Sequence, residues 1–126
     1  MATSPGATAG AARREVDAAT REALSRLKVA LRARYGERLK GLILFGSRAR
    51  GDYGPDSDAD LAVVLEGPIE RPFAIKSEII DDAYDIFLDT GVDIQPWPID
   101  AASLHRPESH RNPRLIRAIL RDGIEL

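Results

Sequence analysis

The chain has 126 residues, of which 44% are hydrophobic and 30% are charged, and its formal net charge is −2. This length and composition predict one globular domain with a hydrophobic core. The slight negative charge does not favour nucleic acid as a direct partner, and no apolar run is long enough to span a membrane. The absence of cysteine excludes disulfides, thiolate nucleophiles and cysteine-based zinc sites, and indicates a cytoplasmic protein.

The first half of the chain begins with a polar lead-in and a long helix. Residues 1–12 are small and polar, which predicts a disordered segment before a single domain over residues 13–126. From Arg13 to Tyr35, apolar residues recur with a period near 3.6, which predicts an amphipathic helix. Gly36 is the expected end of this helix, because glycine adopts the left-handed conformation at little cost.

Two predicted strands flank a glycine-rich turn. The continuous apolar run Leu42–Phe45 predicts a short, buried first strand, which ends at Gly46 and Ser47. Ser47 is expected to cap a short helical turn. After a loop rich in glycine, aspartate and serine, residues Asp58–Leu65 predict a second strand.

The second half predicts two more helices and one more strand. An apolar stripe from Arg71 to Thr90 predicts a second amphipathic helix, and Val92–Pro98 predicts a third strand. The two prolines of that strand place its far end at a sheet edge or outside the sheet. Asn112 is a typical N-cap for a last helix over Arg114–Asp122, because proline follows it.

These elements predict an α/β fold with a small mixed sheet flanked by helices. Strands one and two are expected to be antiparallel, so that Ser47 and Asp58 lie at the same end of the sheet. Strands two and three are joined through a helix and are expected to be parallel. This arrangement brings Asp93, at the start of the third strand, next to Asp58 and Asp60.

The carboxylates at this end of the sheet predict a magnesium site. Asp58 and Asp60 share one face of their strand because successive side chains alternate. Such close carboxylates repel each other unless a cation lies between them, and Mg²⁺ prefers oxygen ligands. Asp93 permits a second ion, and Mn²⁺ would suit the same ligands. The Gly46-Ser47 turn can present backbone amides to a phosphate, so the site predicts phosphoryl transfer.

The role of Arg48 has two interpretations. Its guanidinium could neutralise the charge of a bound triphosphate, and we include it among the predicted nucleotide-binding residues on that basis. It could equally lie on a short surface turn and pair with neighbouring acids, which is the favoured interpretation for Arg50. Trp97, which lies between prolines, is expected to cover a sheet edge rather than stack on a base.

The order Gly46-Ser47, ten residues, then Asp58-Ala59-Asp60 resembles the signature of the polymerase-β-like nucleotidyltransferase superfamily. The fuller strings GSRARG and SDADLAVV, the small size and Asp93 resemble its minimal nucleotidyltransferase (MNT) branch. The resemblance implies that Gly46 and Ser47 hold the triphosphate and that Asp58 and Asp60 bind both metal ions. It also implies that Asp93 binds the catalytic metal and helps to deprotonate the acceptor hydroxyl.

The MNT resemblance further implies a toxin–antitoxin pair. In that branch, the MNT protein transfers AMP from ATP to a HEPN ribonuclease toxin and silences it, and we take the acceptor to be a tyrosine hydroxyl. Two other functions stay open: an antitoxin that neutralises its partner by binding alone, and a transferase that modifies a small-molecule hydroxyl. The intact aspartates favour catalysis over the first, and the short chain disfavours the second.

Overall fold

The structure is a computed structural model, and it describes residues 16–54 and 56–126. The predicted lead-in over residues 1–12 lies outside the described residues. The helices are α1 (Ala18–Tyr35), α2 (Ser47–Arg50), α3 (Pro72–Thr90), α4 (Ala101–His105) and α5 (Pro113–Asp122). The strands are β1 (Leu39–Phe45), β2 (Ala59–Leu65), β3 (Ile94–Asp100) and β4 (Ile124–Glu125). Short 3-10 turns occupy Gly36–Arg38 and Pro107–Ser109.

The four strands form one mixed sheet in the order β3-β2-β1-β4. β1 is antiparallel to β2, with Phe45 opposite Asp60, and β2 is parallel to β3, with Asp60 opposite Gln95. The α/β class and both predicted strand pairings are therefore confirmed. Because the end of β1 meets the starts of β2 and β3, the predicted site residues lie at one end of the sheet.

Helices cover both faces of the sheet, and the two faces carry different parts of the core. On one face, apolar residues of α1 and α3 pack against the strands, and Ala59, Leu61 and Ile94 point towards them. On the other face, α4 and α5 pack against a smaller cluster that includes Ala62 and Trp97. Strand alternation therefore puts the side chains of residues 58, 60, 93 and 95 on the α5 face.

The two prolines of β3 lie where the sheet needs no donor. The carbonyl of Asp93 accepts a hydrogen bond from the Ala59 amide at 2.8 Å, so the odd-numbered residues of β3 bond to β2. Pro96 and Pro98 then face the free edge, where a missing N–H leaves no ladder bond unmade. The prediction of an edge position is confirmed, although both prolines lie within the strand.

Several predicted boundaries are wrong, and one strand is missing from the prediction. α1 begins at Ala18 rather than Arg13, because the carboxylate of Asp17 caps it by accepting from the Thr20 amide at 2.9 Å. β1 is longer than predicted and contains an irregularity between Leu39 and Gly41, which breaks the apolar pattern. β4 was not predicted, because it is a two-residue strand whose pairing depends on the place where α5 ends.

The remaining boundaries differ by two residues or fewer. β2 begins one residue after Asp58, and β3 runs over Ile94–Asp100 instead of Val92–Pro98. α5 begins at Pro113 with Asn112 as its N-cap, as the Asn-Pro pair predicts. Over the described residues, no helix combines the length and the apolar content that a membrane crossing needs.

Candidate active site

The turn between β1 and α2 is built on Gly46. Its φ of 77° and ψ of −157° fall in a backbone region that only glycine adopts readily. Its carbonyl accepts from the amides of Ala49 and Arg50, so Gly46 rather than Ser47 caps α2. Ser47 is therefore the first helical residue, and its hydroxyl makes no hydrogen bond within the part of the chain that the structure describes.

The three predicted carboxylates lie together at the starts of β2 and β3. Asp58 and Asp93 are neighbours across the two strands and are close enough for a hydrogen bond between their side chains. Asp60 lies against the Gly46 turn, since a Cβ added at Gly46 would come within 2.5 Å of Asp60 Oδ2. The structure therefore brings Gly46, Asp58, Asp60 and Asp93 to one place.

The electrostatics of Asp58 reflect this crowding. Partial removal from water raises the pKa of Asp58 above its ordinary value, and the charge of Asp93, a hydrogen bond with Asp93 and the charge of Asp60 raise it further. Arg48 acts in the opposite direction and more weakly. The site therefore disfavours a full set of negative charges and would be relieved by a cation.

Two neighbours on β3 orient these carboxylates, and neither role is among the predictions from the sequence. The indole N–H of Trp97 donates to Asp60 Oδ1 at 3.3 Å, and the amide of Gln95 donates to Asp93 Oδ1 at 3.2 Å. Residues 93, 95 and 97 share one face of a strand, so the alternation that places Asp93 in the site also places these two beside it. This spacing of two residues is the sequence signal from which the roles of Gln95 and Trp97 can be predicted.

Arg48 is buried and points into the protein. Its Nε donates to the carbonyl of Ser57 at 2.9 Å, and its Nη1 donates to Thr20 Oγ1 at 3.0 Å. Nη1 also approaches Asp17 Oδ2 at 3.4 Å, and the guanidinium lies 4.7 Å from the centre of the Tyr53 ring. These contacts join the start of α1 to the loop before Asp58, while contact of Arg48 with a triphosphate stays a prediction.

The carboxylates offer the oxygen ligands that Mg²⁺ prefers, but by themselves they do not form a complete metal site. Within residues 16–54 and 56–126, no group of three acidic or histidine side chains surrounds a single metal position. Mg²⁺ in nucleotide enzymes is held by one or two carboxylates together with substrate phosphates and water. The paired Asp58 and Asp93, and Asp60 beside the Gly46 turn, therefore fit ions that a triphosphate helps to bind.

A groove of about 550 Å³ opens beyond Trp97, along the edge of β3. Phe73 and Lys76 of α3 line one side, and Asn112 at the start of α5 lines the other. The Lys76 ammonium lies 4.2 Å from the centre of the Trp97 ring, so the outer face of the indole is in contact with a cation.

Comparison with known proteins identifies the family. A family model described as the nucleotidyltransferase domain matches residues 24–126, which include every candidate site residue. The chain belongs to the nucleotidyltransferase domain family. The resemblance carried by Gly46-Ser47 and by Asp58-Ala59-Asp60 is therefore confirmed at the level of the family.

One curated relative of this nucleotidyltransferase comes from Methanocaldococcus jannaschii and bears the name "Putative protein adenylyltransferase MJ0604". It is 46% identical over 46 residues, which are 36% of this chain and 44% of the relative. The match thus spans less than half of the length of either protein.

Solved structures share the fold at low sequence identity. A crystal structure of "a putative nucleotidyltransferase from Sulfolobus solfataricus" has a TM-score of 0.50 and 20% identity, covering 90% of this chain and 89% of that one. A crystal structure of a toxin-antitoxin with AMP-PNP has a TM-score of 0.52 and 18% identity, with coverages of 79% and 68%. A structure of a toxin-antitoxin MntA-HpeT mutant has a TM-score of 0.51, 19% identity and the same coverages.

Proposed function

We propose that this nucleotidyltransferase transfers AMP from ATP to a hydroxyl of a cytoplasmic HEPN toxin and thereby acts as its antitoxin. The observation that carries the proposal is the meeting of Asp58, Asp60 and Asp93 beside the Gly46 turn. The curated relative named as a protein adenylyltransferase supports a protein acceptor, and the fold shared with two toxin-antitoxin structures supports the antitoxin role. We take the acceptor hydroxyl to be that of a tyrosine.

In the proposed reaction, the acceptor oxygen forms a bond to the α-phosphorus of ATP. The bond from that phosphorus to the bridging oxygen breaks, and pyrophosphate leaves. The proton of the acceptor hydroxyl passes to a carboxylate, and we assign this role to Asp93. Its exposure just before β3 and its contact with Asp58 support the assignment.

The remaining residues hold the nucleotide. The Gly46 turn lets a phosphate approach the backbone, and the hydroxyl of Ser47 is available to a phosphate oxygen. Asp58 and Asp60 would each bind Mg²⁺, with Asp93 as a ligand of the catalytic ion. Two such ions would neutralise phosphate charge and stabilise the entering and leaving oxygens.

The test is intact-mass spectrometry of the protein encoded next to this chain, which we propose to be the HEPN toxin. That protein is purified after co-expression with the wild type, with an Asp58→Asn/Asp60→Asn variant, or with Asp56→Asn as a matched control. Asp56 is an exposed acid in the same loop and has no polar partner among the described residues. We expect the toxin to gain one or more AMP masses with the wild type and with Asp56→Asn, and none with the double variant.

Two results would replace this function with another. If the toxin is silenced and bound without any mass gain, the protein is an antitoxin that acts by contact. If the toxin is neither modified nor bound, transfer to a small-molecule hydroxyl becomes the better explanation.

A further inference from the structure

α3 carries an exposed apolar stripe that the core does not use. The exposed fractions are 81% for Phe73, 43% for Ile80, 58% for Tyr84 and 40% for Phe87. Their spacing of seven, four and three residues places them on one side of the helix. Large side chains with this exposure, aligned along one helix, are typical of an interaction site rather than of scattered surface residues.

The stripe runs along the edge of β3 and reaches the candidate active site. A cleft of about 100 Å³ is lined by Ile80, Tyr84 and Phe87 from α3 and by Asp93 and Gln95 from β3. Asp93 is therefore shared between the carboxylate cluster and the end of the stripe. A macromolecule seated on the stripe would therefore lie next to Asp93, at the edge of the carboxylate cluster.

Lys76 lies on the β3 side of the stripe, over Trp97, whereas the charges on the other side of the stripe are negative and only some of them are paired. The acids that face α1 are paired, since Asp82 binds Arg34 at 2.9 Å and Asp89 binds Arg26 at 2.8 Å. Asp81 and Asp85 lie on the outer side, are exposed, and have no polar partner within the described part of the chain. A partner that covers the stripe would gain from lysine or arginine side chains opposite these two acids.

The edge of β3 limits how a partner can bind. Strand addition needs a row of free donors and acceptors, and Pro96 and Pro98 remove two of the donors from that edge. Binding must therefore rely on side chains packed against the stripe, which suits an amphipathic helix of the partner. A second copy of this chain complements the stripe less well, because its own α3 brings the same acids and carries Lys76 as its one basic residue.

We propose that the α3 stripe, defined by Phe73, Ile80, Tyr84 and Phe87, is the docking surface for the acceptor protein. The partner surface that it fits is a helix with apolar residues flanked by lysine or arginine, which presents a hydroxyl beyond its end to Asp93. This inference rests on the proposed transfer to a protein hydroxyl. It accounts for how a small catalytic domain selects a protein acceptor.

The experiment compares Tyr84→Glu and Phe87→Glu with Val29→Glu. Val29 is a matched control because it is a large apolar residue that is 72% exposed and lies on α1 rather than on α3. Initial rates of AMP transfer are measured against the purified protein of the adjacent gene at varied concentration, and ATP affinity is measured separately by calorimetry. For both stripe variants we expect the KM for the acceptor protein to rise about tenfold or more, because each loses a central apolar contact.

The same variants should keep kcat at saturating acceptor and should keep ATP affinity, whereas Val29→Glu should match the wild type throughout. An Asp81→Lys/Asp85→Lys variant, whose changes are fully at the surface, should also raise the acceptor KM and weaken its dependence on salt. This variant maintains the test if a glutamate in the stripe prevents folding.

Each alternative result has a distinct meaning. If the wild type transfers AMP and the stripe and charge variants keep its acceptor KM, the docking surface is wrong and the proposed function stands. If the stripe variants only convert a dimer of this chain into a monomer, the occupant is a second copy and the inference is overturned. If the wild type transfers no AMP to the adjacent protein, the proposed function fails and the docking inference fails with it.

Discussion

Gly46 has two separate reasons to be glycine. Its backbone conformation is one that other residues adopt only under strain, and the space that a Cβ would need is occupied by the carboxylate of Asp60. The first reason concerns stability alone, while the second concerns the position of a predicted metal ligand. Only the first reason applies to Gly51, because its φ of 91° is also left-handed but no atom beyond its chain neighbours lies within 4 Å of its added Cβ.

We predict that Gly46→Ala lowers the free energy of unfolding by about 1–3 kcal/mol and also weakens metal binding. The added methyl group must displace Asp60, whereas Gly51→Ala introduces backbone strain only. Urea unfolding and a Mn²⁺ titration followed by electron paramagnetic resonance measure the two effects. Equal Mn²⁺ affinity in Gly46→Ala and Gly51→Ala would show that the contact with Asp60 has no consequence for the site.

Trp97 provides a second prediction at this scale, because its indole N–H holds Asp60 Oδ1. Trp97→Phe keeps an aromatic ring and removes the donor, so we expect metal affinity to fall about 10–100-fold. Lys76→Ala is the control, since it removes the cation over the ring and leaves the N–H in place. Trp97 is the one tryptophan of the chain, so wild-type fluorescence should change on Mn²⁺ binding. Unchanged Mn²⁺ affinity in Trp97→Phe would contradict the role.

The residues of the site differ in how far the sequence predicts them. The grouping of Asp58, Asp60 and Asp93 follows from strand alternation and the right-handed crossover, which are general rules that a sequence pattern is enough to apply. Arg48 lies outside such rules, because its partners Thr20 and Asp17 are far from it along the chain. Whether its guanidinium faces a ligand or the protein depends on how α1 packs, and sequence pattern does not give that packing.

At the scale of elements, hydrogen bonds to Asp122 connect the short helix α2 to the end of α5. Its carboxylate is buried and accepts from Arg50 Nη1 at 3.1 Å and from Arg121 Nη2 at 3.0 Å. Hydrogen bonds from Arg121 and Arg50, together with their charges, lower the pKa of Asp122, although burial opposes them. The ionised form is thus favoured by folding, and the stability it gives is present above the ordinary pKa of an aspartate.

We predict that Asp122→Asn lowers the free energy of unfolding by about 1–3 kcal/mol at neutral pH, because charge-assisted hydrogen bonds are lost from a buried group. The deficit should shrink as pH falls from the ordinary aspartate pKa through the lower pKa of folded Asp122, since the wild type then loses the same charge. Urea denaturation of both proteins at a series of pH values measures this difference in the free energy of unfolding. A deficit that stays constant down to the lowest pH would contradict the ionic explanation.

The helices and strands themselves were predicted with uneven success for physical reasons. Long amphipathic helices and buried strands have strong periodic patterns, so α1, α3, β2 and α5 were expected close to their observed positions. The start of α1 depends on a cap at Asp17, and β4 depends on pairing with β1 across the fold. Neither has a periodic signal of its own.

At the scale of the whole molecule, the fold leaves one end of its sheet crowded with carboxylates. α1 and α3 cover one face and α5 the other, while Asp58 and Asp93, just before β2 and β3, stay exposed beside the Gly46 turn. Because folding raises the pKa of Asp58, its ionised form is less favourable in the folded chain than in the unfolded one. The site therefore costs stability when no cation is bound, which is common where function sets the charge distribution.

We predict that Asp58→Asn raises the melting temperature of the metal-free protein at neutral pH. In the wild type, the loss of stability caused by ionised Asp58 should be present above the raised pKa of Asp58. It should disappear as pH falls to the ordinary aspartate value, because Asp58 takes up its proton at a higher pH in the folded chain than in the unfolded chain. Saturating Mg²⁺ should reverse the order by stabilising only the wild type, by about 2.7 kcal/mol at a hundred times the Kd. Thermal unfolding with EDTA and with MgCl₂ measures both effects. If Asp58→Asn is less stable than the wild type in EDTA, Asp58 stabilises the fold through its contacts and does not destabilise it through its charge. If Mg²⁺ stabilises both proteins equally, Asp58 is not a ligand.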